Sequence, residues 1–281
     1  MPELDDPRLL RPSGDPVAMQ VTAGVSAIRC EPAPDAEMVT QALHGEVVDV
    51  FEECGAFGRV QLRRDRYVGW ALMEALSAPL LASTHRISAL RTYVHSEPTL
   101  KSAPRFLVTL GAEMVAEGED GDWVRCARAG WVHKTHLEDL TSMSDDPAAI
   151  AERYLGTPYL WGGRESLGLD CTGLTVAAYG ACGVLLPRDS DMQFAWTGTS
   201  IEQWTTPGTL RRNDLVFWKG HVGIMLDAER IIHANAHHMA VASEPLAGAI
   251  DRISAYYAEP IGARRIDLEK ARQSAPGWMS R

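Results

Sequence analysis

The sequence predicts an α+β protein in which two small all-β barrels precede a domain with its helices first and an antiparallel sheet after them. Short β runs separated by turn residues fill residues 17–141. The layout of these runs occurs twice, about 60 residues apart. From residue 142 onward, two helical patterns precede three strand-like runs. At 281 residues, the chain has room for two or three domains.

The first barrel is predicted over residues 17–82. Turn residues separate its β runs at Pro32–Pro34, Cys54-Gly55 and Arg64-Asp65. The runs are AMQVTAGVSAIR, EMVTQALHG, EVVDVFEE, RVQLR and YVGWAL. Residues 1–16 are rich in proline and poor in apolar side chains, so we predict an extended arm that is free to pack against a later domain.

The second barrel is predicted over residues 83–141. LHGEVVDVFEECGAFGRVQL (43–62) aligns with LVTLGAEMVAEGEDGDWVRC (107–126). Each copy ends in a Gly-Trp-hydrophobic strand, and we expect Trp70 and Trp131 to be core or strand aromatics. In this ending both copies resemble bacterial SH3-type barrels.

The third domain is predicted over residues 142–270, after the linker TSMSDDP. Ser144 or Asp145 is expected to cap a helix that begins at Pro147 and ends near Gly156. Residues 271–281 are expected to form a frayed C-terminal tail.

A second helix is predicted to follow Asp170 and to stop at Gly183. Cys171 then lies in its first turn, where exposed N–H groups and the helix macrodipole favour a thiolate. A lone cysteine is more often a small buried hydrophobe. Its interpretation as a nucleophile therefore depends on finding a base.

Two histidines qualify as that base. Two apolar runs joined by Lys219-Gly220 predict a β-hairpin that carries His221, and a third strand carries His233. Adjacent antiparallel strands would bring the two rings side by side, one to accept the thiol proton and the other to orient its neighbour. The adjacent pair His237-His238 is interpreted as loop residues, because neighbouring strand residues face opposite ways.

Five short motifs support this interpretation, and they extend over about residues 145–266. They are Tyr-Leu-Trp-Gly-Gly, Asp-Cys-Thr-Gly, Leu-Pro-Arg-Asp-Ser-Asp-Met-Gln, Gly-His-Val-Gly and Ile-His-Ala. Together they resemble the NlpC/p60 family of papain-like cysteine peptidases. The resemblance implies that Cys171 is the nucleophile, His221 the base and His233 the orienting group. Thr172 stands where serine is more usual and Asn213 where glycine is common; neither change touches the proposed chemistry.

The resemblance also implies roles in substrate binding. Tyr159 would support the oxyanion together with the backbone N–H of Cys171. Asp189 and Ser190 would hold the terminal ammonium of a short peptide. The full set of predicted substrate-binding residues is Tyr67, Asp189, Ser190, Trp161, Arg188 and Glu46. By themselves, these residues leave plainer interpretations open: a core position for Tyr159, a surface tyrosine at Tyr67 and solvated charges elsewhere.

The function implied is a cysteine peptidase that cleaves after γ-D-glutamate in L-Ala-γ-D-Glu-diamino acid peptides with a free amino end, in recycling of wall peptides. No metal or organic cofactor is expected. Three alternatives stay open: an exported hydrolase of intact peptidoglycan, a catalytically inert peptide-binding protein, and a thiol-dependent acyl transferase. The choice between meso-diaminopimelate and lysine is open as well.

Composition and charge limit the classes of partner, cellular location and metal or disulfide site that the protein is expected to have. A net charge of −10 argues against nucleic acid or an anionic membrane surface as a partner. No apolar run approaches the roughly 18 residues of a membrane span, and the N-terminus lacks the apolar core of a signal peptide, so we expect a cytoplasmic protein. The five cysteines form no CxxC pair, so neither a disulfide framework nor a zinc site is predicted.

Overall fold

The structure, a computed structural model, describes residues 6–279, which form two compact units that meet in sequence at Met143 and Ser144. The first unit is built from strands and two short 3₁₀ turns. The α-helices of the described residues all belong to the second unit: α1 (Pro147–Glu152), α2 (Cys171–Ala181), α3 (Ser190–Trp196), α4 (Leu246–Tyr256) and α5 (Leu268–Arg272). None of these helices is long and apolar enough to cross a bilayer.

The first predicted β region forms one seven-stranded sheet in the order β3-β2-β6-β5-β4-β1-β7. Its strands are β1 (Val17–Val21), β2 (Val25–Arg29), β3 (Met38–Leu43), β4 (Val47–Cys54), β5 (Phe57–Leu62), β6 (Val68–Leu72) and β7 (Leu76–Ser77). The run predicted as one strand over 18–29 is two strands, β1 and β2. They break around Gly24, where a Cβ would lie 2.1 Å from the carbonyl oxygen of Leu107.

The second β region divides into a five-stranded sheet, β10-β9-β14-β13-β12, and a three-stranded sheet, β11-β8-β15. Its strands are β8 (His85–Ile87), β9 (Arg91–His95), β10 (Pro104–Thr109), β11 (Glu113–Met114), β12 (Ala116–Asp120), β13 (Trp123–Cys126), β14 (Gly130–His133) and β15 (Leu137–Asp139). Trp131 pairs with His95 as Trp70 pairs with Arg29 in the first copy. The repeat seen in the sequence therefore corresponds to a repeated strand pairing.

The two β regions share buried contacts, which explains why they form one unit. Leu43 of the first copy packs in a core with Ile87 and Val108 of the second. The backbone N–H of Glu113 donates to the carbonyl of His44 (2.8 Å). The domain boundary predicted between residues 82 and 83 stays a prediction.

The described part of the N-terminal segment packs on the first sheet. Leu9 is fully buried, and its carbonyl accepts a hydrogen bond from the Gln61 side chain (2.9 Å). The N–H of Val68 donates to the carbonyl of Arg8 (2.8 Å). Residues 1–5 of the predicted arm lie outside the described residues. Leu9 and two hydrogen bonds to backbone carbonyls thus anchor a segment that composition alone predicts to be extended.

The second unit is organised on a six-stranded sheet in the order β18-β23-β19-β20-β21-β22, with a small hairpin of β16 and β17 beside it. Its strands are β16 (Arg164–Glu165), β17 (Gly168–Leu169), β18 (Thr199–Ser200), β19 (Leu215–Trp218), β20 (His221–Met225), β21 (Arg230–Asn235), β22 (Ala240–Pro245) and β23 (Pro260–Arg265). The pairs in this sheet are antiparallel, as predicted. Helix α2 lies against β20 and β21, and α4 contributes Leu246 and Ala249 to a core with Val216 and Trp218.

Two predictions about the ends of this unit are corrected. The N-cap of α1 is Asp146, not Ser144 or Asp145, because its side chain accepts from the N–H of Ala149 (3.3 Å), and the helix ends at Glu152. The C-terminal stretch contains α5, and Trp278 is buried and stacked on Trp196 at 6.4 Å between ring centroids. The tail is therefore packed as far as Met279; residues 280 and 281 lie outside the described residues.

Asn213 explains one departure noted in the sequence. Its backbone φ of 74° lies in the left-handed region, where glycine is favoured and asparagine is tolerated. Its side-chain oxygen accepts from the N–H of Ala148 at the start of α1 (2.8 Å). Asparagine thus adopts the same turn as glycine and adds a bond to the helix.

Candidate active site

The candidate nucleophile occupies the first residue of α2, as the sequence predicts. Asp170 is the N-cap, and its Oδ1 accepts from the N–H of Gly173 (2.7 Å) and the hydroxyl of Thr172 (3.0 Å). Its Oδ2 accepts from the N–H of Gly162 (2.9 Å). A single carboxylate therefore fixes both the helix start and the turn that precedes it.

Arg188 completes this arrangement. Its guanidinium donates to both oxygens of Asp170 (3.0 and 2.6 Å) and to the hydroxyl of Thr172, and the side chain is 1% exposed. The structure thus places Arg188, predicted among the substrate-binding residues, in a buried bidentate pair behind the nucleophile. Arg188 thus holds Asp170, and its predicted contact with substrate stays a prediction.

The glycine pair before the nucleophile serves the same turn. Gly162 adopts a φ of 75°, and a Cβ on Gly163 would lie 2.4 Å from the carbonyl oxygen of Gly168. Gly162 therefore forms a tight turn, and Gly163 allows the close approach of the β17 strand.

The thiol of Cys171 is buried and faces β20, where the backbone N–H of Val222 forms a hydrogen bond to it. Burial, and then the negative charge of Asp170, raise the pKa of this thiol to about 12; the Val222 bond acts in the opposite direction. Burial thus opposes the effect of the helix start on the pKa of the thiol, and the predicted thiolate stays a prediction. A base that takes the proton as the sulfur attacks is required.

His221 is in place for that task, one residue before Val222 at the start of β20. Trp218 and His221 are paired across the two-residue turn that Gly220 closes with a φ of 70°. The ring nitrogen Nε2 of His221 lies 2.8 Å from Nδ1 of His233 on β21. The adjacent strands thus bring the two rings together, as the sequence predicts. Burial lowers the pKa of His221 to about 3, so the ring is neutral at neutral pH and has one unprotonated nitrogen.

One residue of this arrangement was not predicted. Nε2 of His233 lies 2.7 Å from Oε1 of Glu244 on β22, and the guanidinium of Arg252 on α4 donates to the same oxygen. Hydrogen bonding to His233 lowers the pKa of Glu244 to about 2, so the carboxylate is ionised. The sequence signal available was a lone acidic residue in a strand next to the one carrying His233, which is too common to single out.

Tyr159 and Trp161 lie in the turn that Asp170 holds. Burial, and then the charge that Cys171 would carry as a thiolate, raise the pKa of the Tyr159 hydroxyl, which keeps that hydroxyl a hydrogen-bond donor near the sulfur. Trp161 is 59% exposed. Tyr159 is therefore within electrostatic reach of the reacting sulfur, and Trp161 presents an exposed aromatic surface in the same turn.

Asp189 and Ser190 lie at the start of α3, between two attachments to α2. The preceding residue, Arg188, bonds Asp170, and Gln193 accepts from the hydroxyl of Thr175 (2.9 Å). Ser190 is buried and Asp189 is half-buried. Both residues are therefore fixed relative to the helix that begins with Cys171.

The two predicted residues of the first unit are described within that unit. Tyr67 is buried, and its N–H donates to Oδ1 of Asp65 (3.1 Å). Glu46 lies in the turn before β4, where its carboxylate accepts from the N–H of Leu43 (3.1 Å) and lies 3.5 Å from the Arg64 guanidinium. Glu46 is thus a partner within its own barrel, and its predicted contact with substrate stays a prediction.

Comparison with known families assigns both units. The model for the NlpC/P60 family matches residues 156–255, which include α2, β19–β22 and the three proposed catalytic residues. The chain carries an NlpC/P60 cysteine peptidase domain. The model for the bacterial dipeptidyl-peptidase SH3 domain matches residues 28–76 in the first β region. The α+β fold class predicted from the sequence is therefore confirmed.

Curated relatives extend the similarity. The chain is 27% identical to dipeptidyl-peptidase 6 of Lysinibacillus sphaericus, over 76% of this chain and 86% of that protein. It is 29% identical to gamma-D-glutamyl-L-lysine dipeptidyl-peptidase of Bacillus cereus, over 51% of this chain and 42% of that protein. The first similarity includes both units, whereas the second extends over less than half of the relative.

Solved structures agree on the fold. An NlpC/P60 family protein from Bacillus cereus superposes with a TM-score of 0.75 at 20% identity, over 89% of this chain and 99% of that one. An NlpC/P60 endopeptidase from Photobacterium damselae subsp. piscicida gives a TM-score of 0.60 at 12% identity, over 87% of this chain and 70% of that one. At these identities the likeness concerns the fold alone.

Proposed function

We propose that this protein hydrolyses the bond after γ-D-glutamate in short peptidoglycan-derived peptides of the form L-Ala-γ-D-Glu-diamino acid. The observation that carries the proposal is the arrangement of Cys171, His221 and His233. A helix-start thiol lies against the strand that begins with a histidine, and that histidine is hydrogen-bonded to a second one. This is the arrangement of nucleophile, base and orienting group that covalent acyl transfer to water requires.

The reaction proceeds in two halves. His221 accepts the thiol proton as the sulfur of Cys171 attacks the γ-carbonyl carbon, and the oxyanion is held by the Cys171 N–H and the Tyr159 hydroxyl. His221 then returns the proton to the leaving amine of the diamino acid, so the C–N bond breaks and a thioester remains. In the second half, His221 removes a proton from water, which attacks the thioester. The C–S bond breaks, L-Ala-D-Glu is released, and His221 returns the proton to the Cys171 thiolate.

The names of the relatives support this choice of bond. One is a dipeptidyl-peptidase 6 that matches most of both chains, and another is named for the γ-D-glutamyl-L-lysine bond. Removal of a dipeptide requires recognition of a free amino end. Asp189 and Ser190, which are fixed beside α2, are proposed to bind that ammonium through charge-assisted hydrogen bonds. Tyr67 and Glu46 of the first barrel are proposed to assist.

A preference for free amino ends would suit a role in recycling short wall peptides. The competing role is hydrolysis of intact peptidoglycan, where the amino end is blocked by the glycan. Several Listeria relatives are named probable endopeptidase p60; the one from Listeria welshimeri is 36% identical over 31% of this chain and 16% of that protein. That similarity lies in a small part of each chain, so the dipeptidyl-peptidase relatives carry more weight.

Mass spectrometry of the cleavage products tests the proposal. L-Ala-γ-D-Glu-meso-diaminopimelate and its lysine counterpart are incubated with the wild type, each beside an N-acetylated twin, and intact peptidoglycan is included. We expect L-Ala-D-Glu from the free peptides only. Cys171→Ala should release none, whereas Cys182→Ala, which removes another buried thiol of the same unit, should behave as the wild type.

The other outcomes are informative. Cleavage of both the free and the acetylated peptides would retain the enzyme but remove the amine-binding role of Asp189 and Ser190. Cleavage of intact peptidoglycan would favour wall remodelling. No cleavage of any substrate would contradict the proposed activity.

A further inference from the structure

We propose that Glu244 is a positioning residue that fixes the tautomers of the His221–His233 pair and so leaves the correct nitrogen of His221 free for the thiol proton. The inference rests on the proposed function, because it concerns the same reaction. It assigns a fourth member to the Cys171, His221 and His233 set.

The register of the sheet places the side chains of His221, His233 and Glu244 next to one another on one face. Ile224 pairs with Ile232 across β20 and β21, so His221 and His233 are diagonal neighbours on one face. His233 pairs with Ala242 and Ile231 with Glu244 across β21 and β22, which makes His233 and Glu244 diagonal neighbours as well. The measured distances of 2.8 and 2.7 Å are those of hydrogen bonds at both steps.

The direction of each hydrogen bond follows from the carboxylate. An ionised Glu244 can only accept, so the proton between it and His233 belongs to Nε2 of His233. A neutral His233 then has a lone pair on Nδ1, and the proton between the two rings belongs to Nε2 of His221. The Nδ1 of His221 is left unprotonated, and it is the ring nitrogen available to the thiol.

Glu244 is held for this role from the other side. Arg252 of α4 donates to the same carboxylate oxygen, and the side chains of Glu244 and Arg252 are 16% and 22% exposed. His233 is fully buried, so a wrong tautomer there would leave a ring nitrogen without a partner. The carboxylate also lies close enough to offset the positive charge that His221 gains when it takes the proton.

The charged groups around the two rings determine the pH response. His221 faces His233, Arg252 and Glu244, and the next residue, Val222, bonds the Cys171 thiol on α2. His233 faces Glu244, Arg252 and His238. Of these, Glu244 is the group that raises the pKa of both histidines, and Arg252 lowers them. Removal of the carboxylate charge should therefore weaken His221 as a base.

Glu244→Gln in the full chain tests the inference, with Glu229→Gln in the exposed β20–β21 loop as the matched control. We expect kcat on L-Ala-γ-D-Glu-meso-diaminopimelate to fall on the order of 10- to 100-fold, the range seen when the hydrogen-bond partner of a metal-binding histidine is removed. KM should change little. The acid limb of the pH profile should move to lower pH, which a mere loss of folded protein would not produce. Glu229→Gln should match the wild type.

Nitrogen-15 NMR of the histidine side chains gives a readout that needs no substrate. In the wild type we expect both His221 and His233 to carry their proton on Nε2, and in Glu244→Gln a mixture of tautomers. A wild-type His233 with its proton on Nδ1 would overturn the inference, and so would a Glu244→Gln variant with unchanged tautomers, kcat and acid limb.

The NMR result separates this inference from the proposed function. If the wild type cuts no peptide but shows the expected tautomers, the proposed function fails and the positioning role stands. If the peptide is cut and the tautomers differ from those expected, the proposed function stands and the positioning role of Glu244 fails. Should Glu244→Gln fail to fold, the wild-type spectra decide on their own.

Discussion

Cys171 and His221 meet in one site, but they are held there by different kinds of structure. Cys171 is fixed mainly by contacts close in sequence: the cap of Asp170 and the turn at Gly162. His221 is fixed by contacts across three strands and a helix, through His233, Glu244 and Arg252. The first half of the site depends on local backbone geometry, and the second depends on sheet register.

The difference predicts two kinds of failure. Loss of an anchor on the nucleophile side should unfold the start of α2, because a buried charge would lose its partner. Loss of an anchor on the histidine side should leave the fold in place and impair the proton transfer, because the strands are held by their own hydrogen bonds. The predictions below test whether the two halves separate in this way.

The largest expected effect is on stability from the nucleophile side. Asp170→Ala removes the N-cap and leaves Arg188 buried without its carboxylate, so we expect a loss of about 3–5 kcal/mol in the free energy of unfolding. Urea denaturation of the full chain, in which tryptophan fluorescence follows the unfolding of the second unit, measures this loss of free energy. Glu152→Gln removes an exposed partner of Arg212 in the same unit and should change stability by less than about 1 kcal/mol. An Asp170→Ala variant as stable as this control would refute the local account.

The next effect concerns the acidic side of the activity profile, where kcat/KM falls as the pH is lowered. Burial lowers the pKa of His221 to about 3, and a base works in its neutral form, so activity should persist below the ordinary histidine pKa of about 6.5. At pH 5.5, a base with pKa 6.5 would retain roughly a tenth of its neutral form, whereas His221 should retain nearly all of it. The profile of kcat/KM against pH checks this. An acid limb centred at pH 6.5 or higher would show that His221 is not buried in the way described.

The smallest expected effect is the contribution of Glu244 to acid stability. Its pKa is lowered in the fold to about 2 from an ordinary 4.5, so it stabilises the fold fully above pH 4.5 and loses this contribution as the pH falls toward 2. Because the group is partly exposed, we expect about 1 kcal/mol or less. The stability difference between wild type and Glu244→Gln should shrink from pH 5.5 to pH 3. A difference that grows on acidification would contradict the assignment.

The local half of the site is also the half that the sequence predicts best. Asp170 and Gly183 are start and stop signals within one helix, so Cys171 was assigned to its first turn correctly. The pairing of His221 with His233 was predictable because only a hairpin turn and one short connection separate their strands. Family motifs then supplied the roles.

The parts that the sequence did not give depend on contacts distant in the chain. Glu244 lies beyond the His237-His238 loop, and its partner Arg252 belongs to a helix whose docking no local pattern specifies. Arg188 lies in a charged segment, and composition predicts that its side chain is exposed to solvent. It is buried because it is paired with Asp170, 18 residues upstream. Trp278 lies in a polar tail, yet it is buried and stacks on Trp196. In each case one long-range partner reverses the local expectation.

Trapping of the acyl-enzyme tests the central claim most directly. The wild type is mixed with L-Ala-γ-D-Glu-meso-diaminopimelate, quenched in acid within one turnover, digested and analysed by mass spectrometry. We predict that the L-Ala-γ-D-Glu acyl group is attached as a thioester to Cys171 and to none of the other four cysteines. Product formation with the acyl group on another residue, or undiminished turnover by Cys171→Ala, would contradict the account.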